Sequence, residues 1–399
     1  MNGINLGTVP FQEAIDFFKQ KVNLPTKTWT DIYGGQHARA FVVAGAMQSD
    51  MLGDFRSAVD KAISQGTAME EFRKDFDKIV ADTGWDYKGG RNWRTAVIYS
   101  TNLRSAYHAG RFAQQMDPDV LKEFPNLRYV HGASLVPRPE HLAWNGVTLP
   151  ATDPWWETHY GQNGWGCKCR VESAPASSAK KEPEDFGKKE WTNPSTGEVR
   201  DIPVGIDPGF DHNPGEAAWG KPLAEGARSD DTHTVLTKEN WESEGLPQHL
   251  PVSKTETRPD YGITPANALV RLSAIMGGTE KIFSITGNEG FRHDLVVDAE
   301  ILTRHLDEGR LPFLPFLPEI LEAPAESWLA FDRNDRTGAV SLRVNLLKSL
   351  AWDGGKKPFV FGFTASKGSL RSWTVIPLDK GSEQVAKRRT GKFIMGIKK

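Results

Sequence analysis

Residues 138–171 read RPEHLAWNGVTLPATDPWWETHYGQNGWGCKCRV. This stretch holds both cysteines of the 399-residue chain, Cys167 and Cys169, with one lysine between them. A disulfide closed over one residue is strained, and redox pairs normally have two intervening residues. Two readings stand: a pair of metal ligands, or two small buried packing residues. His141 and His159 precede the cysteines, and two thiolates with two imidazoles make a complete tetrahedral set for structural zinc. The competing reading packs both cysteines beside Trp165 and has His141 cap a turn. No neighbouring acid is placed as a base, so a catalytic metal is not expected. The crowding of Pro, Gly, Trp and His suggests a compact, loop-rich module with little apolar core of its own.

Upstream, residues 10–115 read as helices. PFQEAIDFFKQK places Phe11, Ile15 and Phe18 at helical spacing, and residues 36–64 repeat the pattern with Phe41, Met47, Phe55 and Val59. TAMEEFRKDFDKIVADTG offers Thr67 as N-cap, Glu70 at the capping-box position and a stop near Gly84. The long amphipathic stretch NWRTAVIYSTNLRSAYHAGRFAQQM follows, with Arg94, Thr101, Arg104, Tyr107, His108 and Arg111 at polar positions. LRYVHGASL then reads as a strand.

Downstream, residues 176–260 are polar and rich in Pro and Gly, and read as a linker interrupted by docking segments, GIDPGFDHNPG and WESEGLPQHLP. From residue 261 order returns. ANALVRLSAIMG is helical, RHDLVV is a short strand, and DAEILTRHLDEG is a helix with Asp298 as N-cap and Gly309 as stop. After LPFLPFLPEILEAP come four strand-like runs, SWLAFDR, AVSLRVNLLKSLAW, KPFVFGFTA and LRSWTVIPL. The expected fold class is multidomain α+β: a helical half with a loop-rich module over 1–175, a linker over 176–260, and a helix-plus-antiparallel-sheet domain over 261–399.

Composition is ordinary for a soluble globular protein, with 38% hydrophobic and 25% charged residues. No run approaches the roughly 20 apolar residues of a membrane span, the N-terminus does not read as a signal peptide, and the thiol usage fits a reducing cytoplasm. No membrane partner is expected. The net charge of −2 hides a skew: the last 60 residues carry 13 Lys and Arg against 3 Asp and Glu. Such a skew suits either a polyanion partner or a solvated lysine-rich tail.

The span from PFQEAIDFFKQK to CKCRVES resembles the phage Mu F-like head morphogenesis family, the minor capsid proteins of tailed phages. QHARAFVVAGAM and STNLRSAYHAGR match its helical half. RPEHLAWNGVTLPATDPWWETHYGQNGWGCKCRV matches its terminal module, with the PEH, the DPFW-like turn and the GWxCxC ending. Where relatives commonly read like DxRTRPEH, this chain has Ser134, Val136 and Pro137, losing an acid and an arginine. The resemblance implies a role in head assembly, with portal and capsid proteins as partners. It places the chain in the bacterial cytoplasm during assembly and then in the virion.

Residues 265–396 resemble the phage-encoded nucleases of the barnase–EndoU–colicin–RelE fold. The residues that carry this are RHDLVVDAEILTRHLDEGRLPFLPFLPEILEAPAESWLAF, SLRVNLLKSL, RSWTVIPL and QVAKRRTGKFI. The resemblance implies RNA cleavage through the ribose 2′-hydroxyl with no metal or other cofactor in the nuclease. That chemistry needs a base, an acid and cations around the phosphorane. His305 and His293 are the candidates for proton transfer. Arg343, Lys348, Thr374 and Arg389 are expected at the remaining catalytic positions, with Lys387, Arg388, Lys392 and Trp373 contacting nucleic acid. The implied partners are an RNA substrate, phage DNA and an immunity protein. A head protein with an inactive C-terminal adaptor, and a delivered interbacterial toxin, are the competing expectations.

Overall fold

The computed structural model describes residues 11–222, 232–287, 291–304, 306–354, 359–366, 371–378 and 383–396; side chains of 293, 359–366, 371–378 and 383–384 are not described. The chain divides into two compact units, residues 1–231 with 335–340, and residues 232–334 with 341–399.

In the first unit four helices form around apolar stripes: α1 (Gln12–Lys19), α2 (Ser49–Gln65), α3 (Met69–Thr83) and α4 (Arg91–Gln115). Phe18, Leu52, Phe55, Phe72, Phe76 and Ile98 meet in one core. The helix expected over 36–64 starts only at Ser49. Residues Ala40–Phe41 instead pair in parallel with Val22–Asn23, so Phe41 is buried through strand pairing and not through a helical face. The N-cap of α3 is Ala68, one residue after the expected Thr67. On α4, Arg94 and His108 are buried despite their polar character.

The loop-rich module follows as a three-stranded antiparallel sheet, with β1 (Asn126–Val130) between β2 (Thr148–Pro150) and β3 (Arg170–Ala174). It has a core after all: Leu127, Tyr129, Trp144, Val147, Trp156, Tyr160 and Val171 pack together with Cys167 and Cys169. Ile202, Ile206 and Phe210 complete that core. These three come from the stretch read as linker, which carries an antiparallel hairpin of β4 (Lys188–Thr192) and β5 (Val199–Pro203) and a short helix, Pro214–Trp219, capped by Asn213. Residues 176–222 therefore belong to the first unit.

The second unit is built on a sheet whose strands run in the order β6 (Glu280–Thr286), β7 (Arg292–Asp298), β11 (Arg371–Leu378), β10 (Phe359–Ser366), β9 (Val340–Ala351), β8 (Glu326–Asn334) and β12 (Lys392–Gly396). The four expected strand runs are β8 to β11, and β9/β10 and β10/β11 pair antiparallel as expected. Strands β7 and β11 pair in parallel. Strands β6 and β12 were not anticipated. Asp298 does cap the helix Ala299–Arg304, its Oδ1 accepting from the Ile301 N–H at 3.0 Å. Gly309 is no stop, because it lies inside a 3₁₀ segment, Glu308–Phe316.

The rest of the supposed linker joins this unit. His233–Val235 pairs with β8, Val252–Lys254 pairs with β9, and Leu246 and Leu250 are buried against Trp328, Leu347, Val385 and Phe393. A domain cut at residue 261 would remove two sheet strands and part of the core.

Candidate functional sites

Arg343, on β9, donates through Nε to Asp332 Oδ2 at 2.7 Å, and a second guanidinium N–H reaches the same oxygen. Asp332, on β8, is buried while Arg343 is half-exposed, so the carboxylate holds the arginine head at the surface. Arg388 stands close by. Burial, followed by the charges of Arg343 and Arg310, lowers its affinity for a proton from the ordinary arginine value. Arg310 extends from the 3₁₀ segment, is half-buried, and pairs with Asp307 at 3.0 Å. Each of these guanidiniums presents a planar donor fork of the kind that suits a phosphate. Arg343 and Arg388 were expected from the sequence and Arg310 was not, because it sits in a proline-punctuated apolar run that carries no signal for an anion ligand.

Other expected residues are elsewhere. Arg389 is 1% exposed. Its Nε and Nη2 donate to the two carboxylate oxygens of Glu326 at 2.8 and 2.7 Å, and its remaining N–H groups reach the carbonyls of Pro247 and Gln248. The guanidinium also lies 5.0 Å from the Trp241 ring centre. With every edge engaged, Arg389 clamps residues 241–248 to the sheet and has no edge left for RNA. Lys348 is likewise buried, donating to the Glu319 carbonyl at 3.2 Å and pairing with its carboxylate at 3.6 Å. It ties β9 to the helix Leu317–Glu322.

The remaining candidates are placed by backbone alone or by exposure. His293 lies in β7 opposite Ile285. Thr374 pairs with Thr364 and Ser372 with Ala365, which leaves Trp373 in a bulge of β11. Lys387 is exposed and Lys392 half-buried. His305 lies outside the described residues.

A second cluster occupies the first unit. Gly166 adopts φ +72°, a left-handed turn that leads the chain into extended backbone ahead of β3. Successive residues of extended chain face opposite ways, and the burial follows: Cys167 in, Lys168 out, Cys169 in. One intervening residue is therefore what puts both thiols on one face. Gly132 packs so tightly against this turn that a Cβ there would fall 2.0 Å from the Lys168 carbonyl oxygen. From α4, Arg104 donates to the carbonyls of Gly166 and Cys167.

His141, on the short helix Pro139–Ala143, faces the thiols. Its Nδ1 lies 3.6 Å from each Sγ, and its Nε2 is 2.8 Å from the Gly205 carbonyl oxygen. The three ligand atoms lie within 4.8 Å of one another, and all three residues are buried. The neighbouring sulfur, with burial, pushes the Cys167 thiol up, and that same neighbour holds Cys169 below the usual thiol range.

His159 does not join them. It stacks on Trp155 and its Nδ1 bonds to Thr158 Oγ1 at 2.8 Å, while the Trp144 ring lies against both imidazoles. Of the four residues expected from sequence, three stand together and His159 stands apart. Trp165, the expected packing partner of the cysteines, is instead partly exposed against Trp29 and Phe210.

Residues 53–172, from within α2 into β3, match the family described as Phage Mu protein F like protein. Residues 271–395 match the family described as phage-Barnase-EndoU-ColicinE5/D-RelE like nuclease2. The chain carries a Mu F-like domain and a nuclease-family domain. It is 32% identical over 254 residues to the "Putative capsid assembly protein F" of Escherichia phage Mu, across 54% of this chain and 56% of that protein. It is 35% identical over 192 residues to the "Mu-like prophage FluMu F protein" of Haemophilus influenzae, across 46% and 45%. The chain spans about half the length of the curated relatives it matches. No solved structure matches it. Among the described residues, no helix is long and apolar enough to cross a membrane.

Proposed function

We propose that the Mu F-like half takes part in phage head assembly, against portal or capsid proteins, and that the nuclease-family half cuts RNA without a metal ion. The observation that carries the second part is Arg343 held half-exposed by buried Asp332, with Arg388 under the charges of Arg343 and Arg310. Cations placed around a phosphate stabilise the charge that develops in the phosphorane, which is the largest demand of 2′-hydroxyl chemistry. In this reading His305 and His293 are the base that takes the 2′-hydroxyl proton and the acid that protonates the leaving 5′-oxygen. The RNA-cutting half acts as a toxin or processing enzyme on bacterial RNA, restrained by an immunity partner.

A second reading has a specific observation behind it. Lys348 and Arg389, two of the cations expected at the catalytic centre, are spent on internal contacts. That favours a head protein whose C-terminal domain is an inactive adaptor for DNA or capsid. Incubating the full chain and its Arg343→Ala variant with total RNA in EDTA separates the two. Cleavage by the wild type and its loss in the variant support the ribonuclease; intact RNA from both across pH 5–9 supports the adaptor.

A further inference from the structure

The cysteine turn of the Mu F-like domain holds both sulfurs at one distance from a single imidazole nitrogen. One lone pair on His141 Nδ1 faces two sulfurs at the same 3.6 Å. The carbonyl of Gly205 accepts from Nε2–H, and this fixes the proton on Nε2 and leaves Nδ1 as an acceptor. A single lone pair accepts one S–H, not two. A shared cation satisfies both distances. With Zn–S of about 2.3 Å and Zn–N of about 2.0–2.1 Å, a tetrahedral ion separates its nitrogen and sulfur ligands by about 3.6 Å. The carbonyl behind the imidazole is the usual orienting partner of a metal-bound histidine.

We propose that His141 Nδ1, Cys167 Sγ and Cys169 Sγ bind one zinc(II) ion, which cross-links the Pro139–Ala143 helix to the turn that opens β3. Two thiolates and an imidazole are a soft-to-borderline donor set suited to zinc, and too poor in oxygen for magnesium or calcium. Three side chains fill three tetrahedral positions and leave the fourth to water. The cluster includes no carboxylate to serve as a base, so the ion's role is to hold the module. His159 takes no part.

The test uses the full chain, expressed in zinc-supplemented medium with a histidine-free tag, and its His141→Gln, Cys169→Ser and His159→Gln variants. Metal is measured by mass spectrometry of the ashed protein. We expect about one zinc per wild-type and His159→Gln chain, and at least a tenfold loss in the other two. Cobalt(II) added to the chelator-stripped wild type is expected to give a thiolate-to-cobalt charge-transfer band in the near ultraviolet. That readout needs no variant to fold. A folded wild-type chain that carries no stoichiometric zinc and gives no cobalt band overturns the site. So does retention of the metal by His141→Gln.

Discussion

Removal of Arg389 is expected to destabilise the second unit without removing a catalytic group. Arg389→Met leaves Glu326, 3% exposed, leaning on the Trp328 Nε1–H at 2.9 Å. The carbonyls of Pro247 and Gln248 lose their donors at the same time. Breaking a buried pair from one side costs about 3–5 kcal/mol, mostly through the charge left behind. With a urea slope of about 2 kcal/mol per M, the unfolding midpoint falls by about 2 M. Hydrogen exchange in peptides covering Glu326–Asn334, followed against urea, reports this unit alone. Combining Arg389→Met with Glu326→Gln removes both charges and keeps an acceptor for Trp328, so the double variant recovers most of the loss. An Arg389→Met chain with wild-type exchange but no RNA cleavage would refute the clamp and return Arg389 to the catalytic set.

Three further outcomes follow from the same contacts. Arg343→Lys keeps the charge but loses the planar fork shared between Asp332 and a phosphate, so RNA cleavage should fall about 10- to 100-fold with the thermal midpoint little changed; an unchanged rate removes Arg343 from the site. His37 and His212 are half-buried, and their desolvation chiefly holds them near about 3 and about 4. Unfolded histidines bind protons from about pH 6.5 downward while these do not, so the first unit loses stability as pH falls from about 6.5 toward 4, at up to about 1.4 kcal/mol per pH unit for each histidine. A pH series of urea midpoints that is no flatter in His212→Gln than in the wild type contradicts this. Gly132→Ala pushes against the Lys168 carbonyl and should cost about 1–3 kcal/mol, seen as a lower thermal midpoint.

Regular elements were legible wherever burial repeats at a fixed period. Helices α1, α3 and α4 and strands β8 to β11 show their apolar residues at intervals of 3.6 or 2, and the structure places them close to the expected bounds. Residues 36–48 misled because Phe41, Val43 and Ala46 are buried by short pairings and turns whose spacing imitates a helix. The supposed linker misled for the opposite reason. Ile202, Ile206, Phe210, Leu246 and Leu250 are isolated apolar residues in polar surroundings, and each is buried by a partner far away in sequence.

The candidate sites divide along the same line. CxC declares its shared face through the two-residue period of extended chain, and the structure brings His141 to that face. His159 has the same composition signal, yet Trp155 takes it, and nothing local reveals that. In KRRTGK, a run of charge near the end of the sequence reads as solvated, while Arg389 is among the most buried side chains present because Glu326, 63 residues earlier, is buried opposite it. Two of the basic residues behind the C-terminal charge skew, Lys348 and Arg389, are therefore unavailable to a polyanion.

The most direct test of the central claim is the chemistry of the cut ends. The full chain and its His305→Ala variant are incubated in EDTA with an RNA oligonucleotide and with its all-2′-deoxy counterpart. The account predicts 2′,3′-cyclic phosphate ends from the wild type on RNA alone, and their loss in His305→Ala. Cleavage of the deoxy strand, or cutting that stops in EDTA, would contradict it.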